Sequence, residues 1–353
     1  MKKLLSMILA VAVIMSVLCV SVSAEEATEL TAAEKNEILL RNADANGDGF
    51  YSTADVTVLL KAAAGTGEDK DSFDVNSDGV TSLEDAIMLL KHTSGIEPLL
   101  SNEEAVELFN AKVNAVKNRD KGLPGFEKTI TATCNSMKIT QDVQASGLAS
   151  LVAGQMACTD LEYDKYVDKM VGLMSSGNMT AEDKENIEAM KQSAKDYRKP
   201  QVEVVEAVAG DYVDHFLDFP RDAMNTASEI TTADISSVSY TMSGGNIVFT
   251  LKLPNKAYTS LSAYNANPYA KVMNVVEFDE DDGSKVNRVE LKNGSVVVKF
   301  DAQTGAMKNV NYSYSYYSDI SAPEQSQSDS DFGTVTVKLK TKTTATITES
   351  VVF

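Results

Sequence analysis

Two stretches of the chain set oxygen-bearing side chains at a spacing that suits a divalent cation. DANGDGFYSTAD, residues 44–55, has an acid or amide at its first, third, fifth and last positions and a glycine at its sixth. DVNSDGVTSLED, residues 74–85, repeats the pattern. Calcium is a hard cation that takes about six to eight oxygens, and a twelve-residue loop supplies them around a sharp turn at its sixth residue. Asp44, Asn46 and Asp48 offer side-chain oxygens, Phe50 its backbone carbonyl, Ser52 a hydroxyl acting directly or through water, and Asp55 closes the loop. Asp74, Asn76, Asp78, the Val80 carbonyl, Ser82 and Asp85 hold the same places in the second loop. Each loop sets three formal negative charges against the two positive charges of one ion, so two structural Ca2+ ions are expected.

The loops belong to a longer repeat. Asp44–Lys61 aligns without gaps on Asp74–Lys91, with nine of eighteen positions identical, including the Leu-Leu-Lys that follows each loop. An Asx-rich turn that merely caps a helix needs one such residue, whereas here a five-position pattern occurs twice at one offset. Val56, Leu59, Leu60 and Ala63, then Ala86, Leu89 and Leu90, recur at helical spacing after each loop. Between them GTGEDKDSF, residues 65–73, is too short and too rich in glycine and acid for a second entering helix. Before the first loop, Thr31 and Glu34 form a capping-box pattern that predicts an entering helix in the 25–40 lead. An ordinary EF-hand closes with a bidentate Glu and has a helix on each side of its loop; both loops here close with Asp.

Loop, helix, connector, loop, helix over residues 41–97 resembles the dockerin module of cellulosomal proteins. The resemblance implies two structural calcium ions and a partner, the cohesin module of a scaffoldin. It implies partner contacts at Thr53, Ala54, Leu60 and Lys61 in the first repeat and at Leu83, Glu84, Leu90 and Lys91 in the second. The two sets differ, Thr-Ala against Leu-Glu, which argues against a symmetric, two-orientation mode of binding.

The N-terminal segment and the charge set the compartment. Lys2 and Lys3 precede an apolar run, and Val22 and Ala24 occupy the small-residue positions before a signal-peptidase cut, so residues 1–24 read as a secretory signal. The run from Leu4 to Val22 is also long enough for an uncleaved membrane anchor. Cleavage would move the formal charge from -19 to -21. An acidic extracellular chain repels nucleic acid phosphates and anionic lipid and favours a divalent cation as neutraliser. Cys134 and Cys158 would be the mature cysteines, as one disulfide or two buried thiols.

Residues 101–353 read as an α+β module, mainly helical to 230 and mainly antiparallel sheet beyond. Ser101 and Glu104 open a helix with Val106, Phe109, Val113 and Val116 on one face. Phe126–Met137 alternates as a strand, residues 145–157 read as a buried or turn-broken helix, and Thr180 caps a charged helix to Tyr197. Val238, Tyr240 and Met242, the turn SGGN, and Ile247, Phe249, Leu251 and Leu253 form a hairpin. Val296, Val298 and Phe300 lead into Val310, Tyr312, Tyr314 and Tyr316, and APEQSQSDSD, residues 322–331, reads as a loop. The last segment places Val335, Val337, Leu339, Ala345, Ile347, Val351 and Phe353 opposite Lys338, Lys340 and Lys342. A meander with one dry and one wet face is expected. The overall class is thus α+β: a small all-α calcium module, then helices and a β-meander.

Catalytic signatures are sparse. There is no G-x-S-x-G and no H-E-x-x-H. Tyr312, Tyr314 and Tyr316 form either a sugar-stacking platform or the inner row of a strand; the chain has no tryptophan. His215 reads as a structural or surface group beside Asp211, Asp214 and Asp218, and the acidic run at residues 279–283 as a hairpin tip. A secreted cellulosome component carrying a non-catalytic accessory or binding module is expected, with plant cell wall polysaccharide as the associated substrate. A glycan-active hydrolase and a calcium-stabilised protein docked for another purpose are the alternatives.

Overall fold

The computed structural model describes residues 30–68, 70–117, 125–175, 179–209, 229–273, 275–280 and 283–353. The N-terminal segment read as a signal, and His215, lie outside the described residues. Eight α-helices and ten strands occur among them. α1 (Ala32–Asn42) enters the first loop, with Thr31 and Glu34 forming the capping box that the sequence predicts. α2 (Thr53–Ala63) and α3 (Leu83–Thr93) follow the two loops, and a single 3-10 turn, Asp71–Phe73, stands between them. α4 (Asn102–Lys117) buries Val106, Phe109 and Val113, the predicted stripe.

All strand pairing is antiparallel. β1 (Phe126–Ala145) has β2 (Cys158–Glu162) and β3 (Gln201–Ala207) on its outer edge and β10 (Gly333–Val352) on the other. The sheet continues through β8 (Met307–Ser321), β7 (Lys285–Asp301) and β5 (Asn246–Lys252) to β4 (Ser237–Ser243). β6 (Lys256–Tyr258) adds to β7 and β9 (Gln325–Asp329) to β10. Register places Tyr240, Phe249, Val298, Val310, Val351 and Lys128 in one row across six strands. This row belongs to the dry face, on which α4 packs.

The dry face and the helices beside the two loops share one core. Leu40, Val56, Leu59, Phe73 and Leu89 belong to the same buried cluster as Phe109, Phe249, Phe300, Val310 and Val351. The Tyr240 hydroxyl bonds the Leu100 backbone, and its ring stacks on His92 at 5.7 Å. A smaller cluster, Val167, Val171, Ile187 and Ala194, joins α6 (Tyr163–Met174) to α7 (Ala181–Asp196). Lys338, Lys340 and Lys342 pair on the wet face with Glu324, Asp319 and Asp160.

Three local expectations are corrected. Residues 322–331 are not a loop throughout: Gln325–Asp329 forms β9, because backbone pairing with β10 needs no apolar side chain and every β9 residue is exposed. Of the two readings of residues 145–157, the buried helix is overturned and the turn-broken one holds. The segment ends β1, makes a 3-10 turn at Gly147–Ala149, and forms α5 (Ser150–Met156), which buries none of its residues. The strand expected to end at Met137 runs on to Ala145, since a bulge at Cys134/Ser136 shifts its register and keeps it paired with β10. Cys134 and Cys158 are both free thiols.

Candidate metal centre

The two loops share a set of hydrogen bonds, to which the second adds Val75 N–H to Asp85 and Asp78 N–H to Asp74 Oδ1. The first-position carboxylate accepts from the glycine amide at position six, Gly49 to Asp44 at 3.0 Å and Gly79 to Asp74 at 2.8 Å. The third-position amide accepts from the fifth residue, and the fifth carboxylate from the seventh, Phe50 to Asp48 and Val80 to Asp78 at 2.9 Å each. The closing carboxylate reaches back across the loop: Asn46 and Asn76 each donate a backbone N–H to it at 3.0 Å. Gly49 and Gly79 take φ of 85° and 91°, a region that costs a side-chain residue strain, so the sharp turn needs glycine at both positions.

The closing Asp55 and Asp85 have two duties. Each is fully buried and completes a capping box with Ser52 or Ser82, whose backbone and hydroxyl both donate to it. The capping role considered from sequence is therefore present, and it leaves the other loop carboxylates to be explained. Asp44 Oδ1 answers part of this: it is buried and accepts no hydrogen bond. A buried carboxylate oxygen without a donor is costly, and a cation beside it would remove that cost. Burial chiefly, and the neighbouring charges of Asp55 and Asp48, push the Asp44 carboxyl above its ordinary range, against the Gly49 amide that holds it down. The loop gathers negative charge that a cation would neutralise.

Among the described residues no group of three or more His, Cys, Asp and Glu is gathered to hold a metal by itself. The loop donor sets fit calcium in another way, through carboxylates mixed with an Asn oxygen, a Ser hydroxyl and a backbone carbonyl, all hard oxygens. Asp44, Asn46, Asp48, Phe50, Ser52 and Asp55 would hold one ion, and Asp74, Asn76, Asp78, Val80, Ser82 and Asp85 the other.

Every residue expected to meet a partner is exposed: Thr53, Ala54, Leu60, Lys61, Leu83, Glu84, Leu90 and Lys91. The structure adds Val80 and Ile87, so Val80, Leu83, Ile87 and Leu90 form an apolar stripe, 63, 55, 43 and 44% exposed. Phe50, Thr53, Thr57 and Leu60 hold the matching places in the first repeat, half of them polar. The heptad-like spacing of Leu83, Ile87 and Leu90 was open to reading; that solvent covers it was not, because α3 buries Ala86 and Leu89 on its other side.

Tyr312 and Tyr314 are core residues, and the Tyr314 hydroxyl accepts from the Val276 amide at 2.8 Å, so the row is no open platform. Among the described residues, the buried carboxylates outside the loops, Asp234, Asp319 and Glu349, each pair with a lysine, Lys271, Lys340 and Lys128, at 2.9 to 3.0 Å. The acidic run expected as a hairpin tip is not one, for residues 275–280 form no strand; Glu280 accepts from the Val286 amide and from the Gly283 amide, and Asp281 and Asp282 lie outside the described residues. No helix among the described residues is long and apolar enough to cross a membrane. Comparisons with protein-family models, with curated proteins and with solved structures returned no match.

Proposed function

We propose that the chain is a secreted dockerin-type protein. Two structural calcium ions shape residues 41–97, and this module docks on a cohesin of a scaffoldin. The rest of the chain then serves as an accessory or binding module in polysaccharide degradation. The observation that carries the reading is the duplicated loop geometry, in which the same hydrogen bonds recur at a thirty-residue offset and Asp44 Oδ1 lies buried without a donor. The apolar stripe on α3 supplies a docking face, and its half-polar counterpart in the first repeat favours docking in one orientation through the second. The lysine pairing of the buried carboxylates outside the loops favours a non-catalytic module over a glycan-active hydrolase, whose acid must carry an exchangeable proton in a cleft.

The test is titration calorimetry of the full chain against a panel of cohesins, with calcium and with chelator. Binding that needs calcium, and that falls at least about a hundredfold in Leu83→Asp or Ile87→Asp, is expected, because a central apolar anchor carries about 2 kcal/mol or more. Binding to no cohesin in calcium refutes the docking reading. Sugar release from plant cell wall polysaccharide would restore the hydrolase.

A further inference from the structure

The two loops differ in what they touch. Gly49, at the turn of the first loop, lies against the β4–β5 turn so closely that a side chain there would strike the Gly245 backbone nitrogen. The Gly245 amide donates to the Gly49 carbonyl at 3.2 Å, and Phe50 forms an isolated antiparallel bridge with Ser243. The contact continues inward, for the Ala302 amide donates to the Gly245 carbonyl at 3.0 Å. A short backbone ladder therefore runs from the first loop through the β4–β5 turn to the β7–β8 turn. A polar cleft of about 750 Å3 opens beside it, rimmed by Arg41, Asp48, Asn246, Asp301 and Gln303. The second loop has no such neighbour: nothing lies within 4 Å of a side chain built on Gly79, and Val80 is 63% exposed.

We propose that the first loop is a calcium-dependent clamp between the loop helices and the sheet, while the second is free for a partner. The inference rests on calcium occupancy of the loops as proposed above and assigns the two ions different duties. Phe50 joins the two functions in one residue, since it is the seventh loop position, whose carbonyl faces the ion in such a loop, and also the residue bridged to Ser243. Asp48 accepts the Phe50 amide and Asp44 the Gly49 amide, so the ladder's first rung is shaped by the carboxylates that would ligate the ion. Asp44, Asp48 and Asp55 each accept a backbone N–H of that same loop, so what holds these carboxylates also holds the turn. The second loop has the same carboxylates and no rung to lose.

Amide hydrogen exchange on the full chain reads the ladder directly. Removing calcium is expected to speed exchange at Gly245 about tenfold, the scale of one net backbone hydrogen bond, with Tyr312 in the central sheet as the internal control for global unfolding. In saturating calcium, Asp48→Ala should exchange at Gly245 as chelated wild type does, and Asp78→Ala as calcium-loaded wild type does. As a second readout free of ligand substitutions, Gln303→Trp places the chain's only tryptophan at the cleft rim. Its emission should shift on calcium addition. Two calcium ions bound with Gly245 exchange unchanged, equal effects of the two Asp variants, or an emission indifferent to calcium would each overturn the clamp and leave the docking reading standing. A wild-type chain that binds no calcium in calorimetry would remove the premise of both.

Discussion

Single side chains already couple the loops to solution conditions. A carboxyl whose folded-state pKa is raised, as that of Asp44 is by burial and by Asp55 and Asp48, favours folding while protonated. That contribution is present below the ordinary carboxylate range and is lost as pH rises through the raised value. In chelator, Asp44→Asn should therefore melt above wild type at pH 7, with the gap narrowing toward about pH 4. In calcium the order should reverse, because the variant loses a ligand. At about a hundredfold excess over Kd one site contributes about 2.7 kcal/mol, and circular dichroism melts at the two pH values check both signs. His92 behaves oppositely. Burial against Tyr240 and Tyr51 depresses its pKa, so its contribution is full above the ordinary histidine range and is lost as pH falls. From pH 7 to 5 the urea midpoint of wild type should fall further than that of His92→Phe, which keeps a ring beside Tyr240.

At the scale of elements, caps and pairs carry measurable weight. Thr180 caps α7 in a full capping box with Asp183, and α7 packs in the small separate cluster with α6. Thr180→Ala should cost about 1 kcal/mol, and exchange rates should rise in α6 and α7 while β8 keeps its protection. Lys128 and Glu349 sit 3.0 Å apart between β1 and β10, 7% and 5% exposed at the side chain. Lys128→Met removes the cation from a buried ion pair and should cost about 3–5 kcal/mol in urea unfolding, whereas adding Glu349→Leu should recover most of that loss. Elements with a full apolar period were legible in the sequence: α4 from Val106, Phe109 and Val113, and the β4–β5 hairpin from its alternation around SGGN. β9 was not, since QSQSD is held by backbone bonds to β10 and its side chains carry no pattern. The far half of β1 was obscured because alternation shifts phase at the bulge after Cys134.

For the whole molecule, the decisive fact is that one buried cluster runs from Leu40 to Val351. The helices beside the two loops and the sheet thus bury each other's apolar surface, and their unfolding should be linked. Calcium should raise the melting temperature of a single transition followed at the sheet; two separate transitions, only one of them calcium-sensitive, would contradict this. A chain begun at Ser101 would leave Tyr240 without the His92 ring and the Leu100 amide. It should bind a hydrophobic dye and aggregate where the full chain does not.

The sequence by itself determined the features that are local. Two loops of matching oxygen donors, their glycine turns, the helices that follow them and the alternating strands are written in residue type and spacing, because each depends on contacts within about a dozen residues. Only the tertiary structure decided which surfaces face water and which face protein. It put Tyr312 and Tyr314 in the core, paired the buried carboxylates with lysines, exposed the stripe on α3, and set the first loop, but not the second, against the β4–β5 turn. Those outcomes join residues from about 20 to more than 200 positions apart, Asp319 with Lys340 and Gly49 with Gly245 among them, and no periodicity in one chain encodes such meetings. Loops that share one donor pattern can therefore meet different surroundings.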